Sequence, residues 1–309
     1  MKIFDKDEKL RFDSAVCLGN FDGIHIGHQR IIEVLRAEAA DRNLNTVMLT
    51  FKIHPENFIE NGSKTKLITS EEIKFEILSK LGIDALYLHE FDEKTKNLSA
   101  RSFVENILIK KMNAKVLVAG FNYRFGKGRE GNSETLKKFG ERYGAKVLIV
   151  PAVYHGNKLV SSTLIRGYLS SGEIEEVNVL LGRTYAILGQ VSEGKRKGRE
   201  LGFPTANLIP IPEIMYPKKG VYLTKTFYEG KEGFSVTNIG VNPTVGGIDT
   251  IIETHILDAG EELYGKNIKI EFYKKIRDEK NFKSVEQLRA QIAEDIECAR
   301  RYFGMGSSC

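Results

Sequence analysis

The stretch Gly19-Asn20-Phe21-Asp22-Gly23-Ile24-His25-Ile26-Gly27-His28 decides the fold of the first half of this chain. It follows Ala15-Val16-Cys17-Leu18, which reads as a strand, and precedes residues 27–42, where Ile31, Ile32 and Leu35 fall on one side of a helix. Outward from this strand-turn-helix unit the same alternation continues. Residues 46–51, 85–88, 115–119 and 146–150 read as further strands. Residues 70–81, 99–112 and 133–143 read as helices between them. Strands alternating with helices predict a parallel sheet covered on both faces, with ligands at the carboxyl ends of its strands.

The pattern changes near residue 182. Residues 161–181 look helical, with a break at Gly172. From Tyr185-Ala186-Ile187-Leu188 onward, β-rich runs follow one another at 220–228, 234–239, 250–257 and 267–273, with Glu229-Gly230-Lys231-Glu232-Gly233 as a hairpin loop. Strands without intervening helices predict an antiparallel barrel. Asn238-Ile239-Gly240-Val241-Asn242-Pro243-Thr244 and Leu263-Tyr264-Gly265 read as barrel turns. A helix follows, opened by the capping box Ser284-Val285-Glu286-Gln287, with Val285, Leu288, Ile292 and Ile296 at helical spacing. The fold class is therefore α/β plus all-β. At roughly 150 residues per domain, the 309 residues divide into 1–183 and 184–309.

Charge and composition narrow the function. Lysine and arginine number 46 against 41 acidic residues, a net charge of +5 with pI about 8.8. That mild excess suits an anionic small molecule such as a nucleotide and is weak for DNA or RNA. No run approaches the roughly 18 apolar residues of a membrane span, and Met1-Lys2-Ile3-Phe4-Asp5-Lys6 breaks into charges too soon for a secretory signal. Cys17, Cys298 and Cys309 are odd in number and far apart, so neither a disulfide framework nor a cysteine zinc site is expected. A cytoplasmic protein with small-molecule partners, no nucleic acid and no membrane is expected, as a monomer or weak homo-oligomer.

His25 and His28, three residues apart, can face one ligand from a helix N-terminus, where backbone N–H groups and the dipole favour phosphate. Gly27 between them lets a nucleotide approach the backbone. Two imidazoles there suit charge stabilisation on an α-phosphate in transfer. The plain alternative is a glycine-rich turn with two incidental histidines. Ser161-Ser162-Thr163-Leu164-Ile165-Arg166 opens a later helix. Its hydroxyls and the Arg166 fork can hold phosphates, or simply cap the helix. Two loops lie at strand ends: Phe51-Lys52-Ile53-His54-Pro55, and residues 120–132, where three aromatics, three cations and four glycines can sandwich a flat ring. His89 and His155 read as structural or surface residues.

In the second half, residues 194–199 place four cations among glycines, a basic flap suited to polyphosphate or a solvated charge run. In Leu201-Gly202-Phe203-Pro204-Thr205-Ala206-Asn207-Leu208, Thr205 and Asn207 share a face of an extended segment, and their neutral hard oxygens can hold Mg²⁺ already carrying ATP phosphates. Glu253 and His255 share a face of the strand Glu253-Thr254-His255-Ile256-Leu257-Asp258. A carboxylate beside Mg·ATP is a fair general base for a hydroxyl nucleophile.

Taken together, GNFDGIHIGHQ, SSTLIR, LGFPTANL, NIGVNPT, ETHILD and LYG, in that order over almost the whole chain, resemble the prokaryotic bifunctional riboflavin kinase/FAD synthetase family. The first motif is the HxGH signature of nucleotidyltransferases, shared with class I aminoacyl-tRNA synthetases, whose KMSKS-type loop is missing here. The resemblance implies an N-terminal Rossmann-like FMN adenylyltransferase domain and a C-terminal riboflavin kinase barrel, with ATP, Mg²⁺ and flavins as cofactor or substrates. It implies catalytic roles for Glu253, His28 and His25. It implies ATP contacts at Gly19, Phe21, Asp22, His25, Gly27, His28, Ser162, Thr163, Arg166, Gly194, Lys195, Gly202 and Pro204. Flavin contacts are implied at His54, Asn122, Tyr123, Phe125 and Arg199, and metal ligands at Thr205 and Asn207. Ile53 stands where the family often has proline, and Tyr123 where it usually has phenylalanine. Two rivals share parts of the pattern: another nucleotidyltransferase with an unrelated barrel, separated by its failure to bind flavin, and an RNA-binding barrel on a degenerate domain, separated by steeply salt-dependent RNA binding.

Overall fold

The structure, a computed structural model, describes residues 1–51, 65–90, 92–193, 201–244, 247–259 and 262–305. His54, Gly194, Lys195 and Arg199 lie outside them. The chain forms two compact units, Met1–Thr65 with Lys74–Ser161, and Lys66–Ile73 with Ser162–Cys309.

In the first unit, β1 (Lys2–Asp5), β2 (Ser14–Leu18), β3 (Asn45–Phe51), β4 (Ala85–His89), β5 (Ala114–Gly120) and β6 (Lys146–Val150) form a sheet of order β1-β4-β3-β2-β5-β6, and every pairing is parallel. Alternate residues feed opposite faces, as strand geometry requires. Val16, Leu18, Val47, Leu49, Leu117 and Ala119 join one core with Phe103 and Leu108 of α3 (Phe103–Lys111) and Leu136 of α4 (Ser133–Arg142). Ala15, Cys17, Met48, Leu86, Val116 and Val118 join the other, with Ile31, Ile32 and Leu35 of α1 (Ile26–Arg42) and Leu78 of α2 (Glu71–Lys80). Both faces are covered, so strands such as Ser14–Leu18 are buried throughout. The chain order runs outward in both directions from β2 and β5, so the carboxyl end of β2 is the switch point where open α/β sheets bind ligands.

In this unit two features depart from the sequence reading. The charged N-terminal segment contributes the edge strand β1, whose exposed residues leave no apolar signature. The helix expected over 99–112 starts at its Ser99 cap but winds more widely than an α-helix along α3, with Met112 N–H reaching the Ile107 carbonyl at 3.0 Å.

The small hairpin β7 (Tyr154–His155) and β8 (Lys158–Leu159) ends this unit. The second unit is a closed antiparallel barrel of order β10-β13-β12-β11-β14-β9. Its strands are β9 (Tyr185–Ser192), β10 (Ala206–Leu208), β11 (Gly220–Tyr228), β12 (Lys231–Thr244), β13 (Gly247–Ile256) and β14 (Asn267–Arg277). Residues 238–244, read as a turn, continue β12 instead. Strand pairing with β13 carries through Gly240, where a Cβ would stand 2.5 Å from Glu279 Oε1, the movable end of a long side chain. Leu263-Tyr264-Gly265 is a turn, with Gly265 at φ 73°.

Inside the barrel, fully buried hydroxyls satisfy one another. Thr224 Oγ1 meets Ser235 Oγ and Thr237 Oγ1, each at 2.8 Å, and Thr237 donates to Thr254 Oγ1 at 2.8 Å. Outside, Val221, Leu223 and Val236 pack against Ala299 and Ile296 of α7 (Val285–Tyr302), which Ser284 caps through Gln287 N–H. α5 (Ser162–Ser171) and α6 (Ile174–Leu181), broken at Gly172 with φ 85°, belong to the same unit. Asn178 there donates to the Phe272 carbonyl at 2.8 Å and accepts from Tyr185 N–H at 2.7 Å.

Candidate active sites

The first site is the turn between β2 and α1. Phe21, Gly23 and Ile24 all take positive φ, at 48°, 82° and 41°. A β-branched residue there is a genuine outlier, and such strain persists only where surroundings over-determine it. Phe21 and Ile24 are fully buried, and the Asn20 carbonyl accepts from Thr50 Oγ1 at 3.1 Å and Lys74 Nζ at 3.4 Å. The cost of the turn is thus met by burial and by hydrogen bonds from β3 and α2.

The turn delivers His25 as the cap of α1. Its Nδ1 accepts from His28 N–H at 3.3 Å, so the neutral ring carries its proton on Nε2 and presents a donor. The His25 and His28 rings stack with centroids 3.7 Å apart, and Phe21 packs on His28 at 5.2 Å. The glycines serve this stack: a Cβ on Gly27 would lie 3.1 Å from the His25 ring, and one on Gly19 3.2 Å from Phe21. Asp22 is buried beside them. Lys74, which sequence reasoning missed, adds a cation behind the turn. It lies 54 residues from Asn20, and no local pattern marks it.

The loop after β5 divides its aromatics. Phe121 and Asn122 are exposed at the strand end. Phe125 is buried against Phe103, with Tyr123 half-buried and stacked on it at 5.5 Å. Burial pushes the Tyr123 hydroxyl well above its usual range. Phe125 and Gly131 exchange backbone hydrogen bonds of 3.1 and 2.9 Å, closing the loop at its base. Ser162, Thr163 and Arg166 begin α5 in the second unit; Arg166 Nε donates to the Lys66 carbonyl at 2.9 Å. Of the two other histidines, His155 is exposed and His89 is buried.

The second site is a cleft of about 610 Å³ between the outer barrel wall and α7. Thr205, Asn238, Glu253 and His255 line the barrel side, and Leu288, Ile292 and Asp295 the helix side. Leu288 and Ile292 of the helical stripe thus face the cleft, while Ile296 of the same stripe both lines it and packs on the barrel. The wall is ordered by strand register: Asn207 of β10 pairs with Glu253 of β13, and Glu253 with Asn238 of β12. Asn207 Nδ2 points to the Thr205 carbonyl at 3.5 Å, which leaves Oδ1 for another partner. His255 Nδ1 lies 2.8 Å from the Pro204 carbonyl. That oxygen can only accept, so Nδ1 carries the proton, and the contact fastens the turn after Gly202 to β13. Across the cleft, Arg277 meets the buried Asp295 through Nε at 3.0 Å and Nη2 at 2.7 Å. Neither Asn238 nor the Arg277–Asp295 pair was singled out from the sequence.

Two family models match the chain in this order, FAD synthetase over residues 7–164 and riboflavin kinase over 181–303. The bifunctional riboflavin kinase/FMN adenylyltransferase of Escherichia coli strain K12 is 36% identical over 292 residues, covering 94% of this chain and 93% of its own. The chain belongs to the bifunctional riboflavin kinase/FMN adenylyltransferase family. A Listeria monocytogenes member is 37% identical, covering 96% of this chain and 95% of its own. A solved Streptococcus pneumoniae structure described as a macrolide-efflux protein superposes with TM-score 0.91 at 33% identity, covering 97% of this chain and 99% of that one. Among the described residues, no helix is long and apolar enough to cross a membrane. The two family domains of FAD biosynthesis thus coincide with the two sites: paired imidazoles in the FAD synthetase domain, and the Glu253 cleft in the riboflavin kinase domain.

Proposed function

We propose that this chain makes FAD from riboflavin in two ATP-dependent steps. In the first, the riboflavin 5′-hydroxyl attacks the γ-phosphorus of ATP and its proton passes to Glu253. ADP leaves and FMN is formed. In the second, a phosphate oxygen of FMN attacks the α-phosphorus of another ATP. Pyrophosphate leaves and FAD is formed. The observation that carries the reading is Glu253, standing beside Asn207 in the wall of a cleft large enough for a flavin, in a domain that matches riboflavin kinases.

Adenylylation falls to residues 1–183 and phosphorylation to 184–309. His25, through Nε2–H, and His28 stabilise charge on the α-phosphate as it transfers. The backbone of Gly19, Phe21, Asp22 and Gly27 shapes their turn. Asn122 and Tyr123, with His54, take the flavin in this step. Phe125 supports Tyr123 from the core. Gly194, Lys195, Gly202 and Pro204 serve ATP binding in the kinase step, and Arg199 serves flavin binding.

Thr205 and Asn207 fit Mg²⁺. The Thr205 hydroxyl and Asn207 Oδ1 are neutral hard oxygens, suited to a cation that brings phosphate ligands with it. When bound, Mg²⁺ neutralises charge on the ATP phosphates. The described residues contain no cluster of three or more His, Cys, Asp or Glu that would compete for it. Both reactions take place in the cytoplasm, on small molecules rather than nucleic acid, in a monomer or weak homo-oligomer.

The test is to incubate the protein with riboflavin, ATP and Mg²⁺ and separate the flavins by chromatography. FMN followed by FAD is expected, with neither formed when Mg²⁺ is chelated. Failure to form FMN overturns the kinase assignment. Failure to convert added FMN overturns the adenylyltransferase assignment.

A further inference from the structure

Glu253 has an amide on each side. The register that sets Asn207 opposite Glu253 on β10 sets Asn238 opposite it on β12. Directly opposed residues of an antiparallel pair have Cβ atoms about 5 Å apart, within reach of an amide-to-carboxylate hydrogen bond. Asn238 and Glu253 line the same cleft. Their chain neighbours Thr237 and Thr254 point into the barrel and are joined by a 2.8 Å hydrogen bond. The inner hydroxyl bond thus locks the register that faces the outer pair across the two strands. The Asn238 side chain is half-buried and makes no hydrogen bond among the described residues. The backbone beside it is bare: a Cβ on Gly240 would stand 3.6 Å from Asn238 Nδ2 and 2.5 Å from Glu279 Oε1. The absent side chain leaves the amide room to turn.

We propose that Asn238 is a positioning residue for the riboflavin kinase reaction, its side-chain amide holding the Glu253 carboxylate toward the flavin hydroxyl. The inference rests on the reading of Glu253 as the base. The two amides differ in use. Asn207 has its nitrogen committed to Thr205 and its oxygen free for a cation, whereas Asn238 has its nitrogen available for the carboxylate. An N–H donated to one carboxylate oxygen fixes the orientation of the other. The other titratable or charged groups lining the cleft are His255 on β13, Arg277 on β14, Glu279 and Lys280 between β14 and α7, and Asp295 on α7. Arg277 is committed to Asp295, and His255 to the Pro204 carbonyl.

The experiment measures kcat and KM for riboflavin phosphorylation at one pH in the full chain, for wild type, Asn238→Leu, Asn238→Ser and Glu253→Gln. FMN adenylylation by the same preparations serves as the folding control. Asn238→Leu removes the donor and is expected to lower kcat by roughly 10-fold or more, with KM for riboflavin and ATP little changed. Asn238→Ser keeps a donor and is expected to recover most of that loss. Glu253→Gln is expected to lose the activity. A kcat for Asn238→Leu within about two-fold of wild type, with Glu253→Gln inactive, overturns the role of Asn238 and leaves the base standing. Near wild-type turnover in Glu253→Gln overturns both. Should Asn238→Leu lose adenylylation as well, Asn238→Ala takes its place, and an unchanged kcat there overturns the proposal.

Discussion

His25 Nδ1 accepts the backbone N–H of His28 at 3.3 Å, so one imidazole caps α1 and keeps the proton of its neutral ring on Nε2. The two roles separate by substitution. Asn is a good helix cap, so His25→Asn is expected to fold normally and lose FAD formation by roughly 100- to 1,000-fold. His28→Ala keeps the backbone N–H that His25 uses and is expected to lose FAD formation by a similar factor. FMN formation survives in both. Normal FAD production by folded His28→Ala removes the imidazole pair from the mechanism.

The helices α5 and α6 predict how the kinase unit behaves alone. Asn178 bonds β14 and β9, the Leu169 carbonyl accepts from Lys218 N–H at 2.8 Å, and Leu169, Leu180 and Leu181 are buried. A fragment of residues 162–309 keeps these contacts. One of residues 184–309 keeps the cleft but exposes the apolar surface beneath the helices, at roughly 1.5–3 kcal/mol for each large side chain unburied. Both are expected to phosphorylate riboflavin and neither to adenylylate FMN. Denaturant midpoints are expected to be lower for the shorter fragment. Equal midpoints would show that the helices contribute nothing to the barrel.

The sequence carried the βα turn, both layers of helices and most barrel strands because each has a local signature: alternation, a cap, or a glycine at positive φ. What it could not carry depends on partners far along the chain. Gly240, Asn242 and Pro243 favour turns, yet residues 238–244 continue β12, because strand pairing with β13 decides there. Asp295 reads as a polar position on an amphipathic helix and proves buried, because Arg277 lies against it. Phe121 and Phe125 share one aromatic-rich loop, and only the fold separates the exposed ring from the buried one.

The Arg277–Asp295 pair fastens α7 across the riboflavin kinase cleft. Both side chains are largely buried, at 15% and 6% exposure, so removing one partner leaves the other charge uncompensated. Asp295→Ala is expected to destabilise the barrel unit by about 3–5 kcal/mol. It is also expected to weaken riboflavin binding, because the same carboxylate lines the cleft. Asp295→Leu combined with Arg277→Met removes both charges and is expected to recover most of the stability. Thermal unfolding and flavin fluorescence titration read the two effects separately. A single variant as stable as wild type would mean that helix packing alone seats α7.

His89, at the carboxyl end of β4, makes the first unit sensitive to acid. Thr95 Oγ1 donates to the Glu90 carbonyl at 3.2 Å, so in its 3.1 Å contact with His89 it accepts, and the proton of the neutral ring is on Nε2. Nδ1 is buried without a hydrogen-bond partner. Burial, with the Lys111 charge as a smaller contribution, pushes His89 from 6.5 down to about 4. Between those values the unfolded chain binds a proton that the folded chain refuses. Stability is therefore fully present above about pH 6.5 and falls as pH drops toward 4, by about 3 kcal/mol in all. His89→Gln keeps a donor for Thr95 and cannot titrate. Urea unfolding at about pH 7 and about pH 4.5 is expected to show a large drop in midpoint for wild type and a smaller one for the variant. An equal drop in both would place the acid sensitivity elsewhere in the chain.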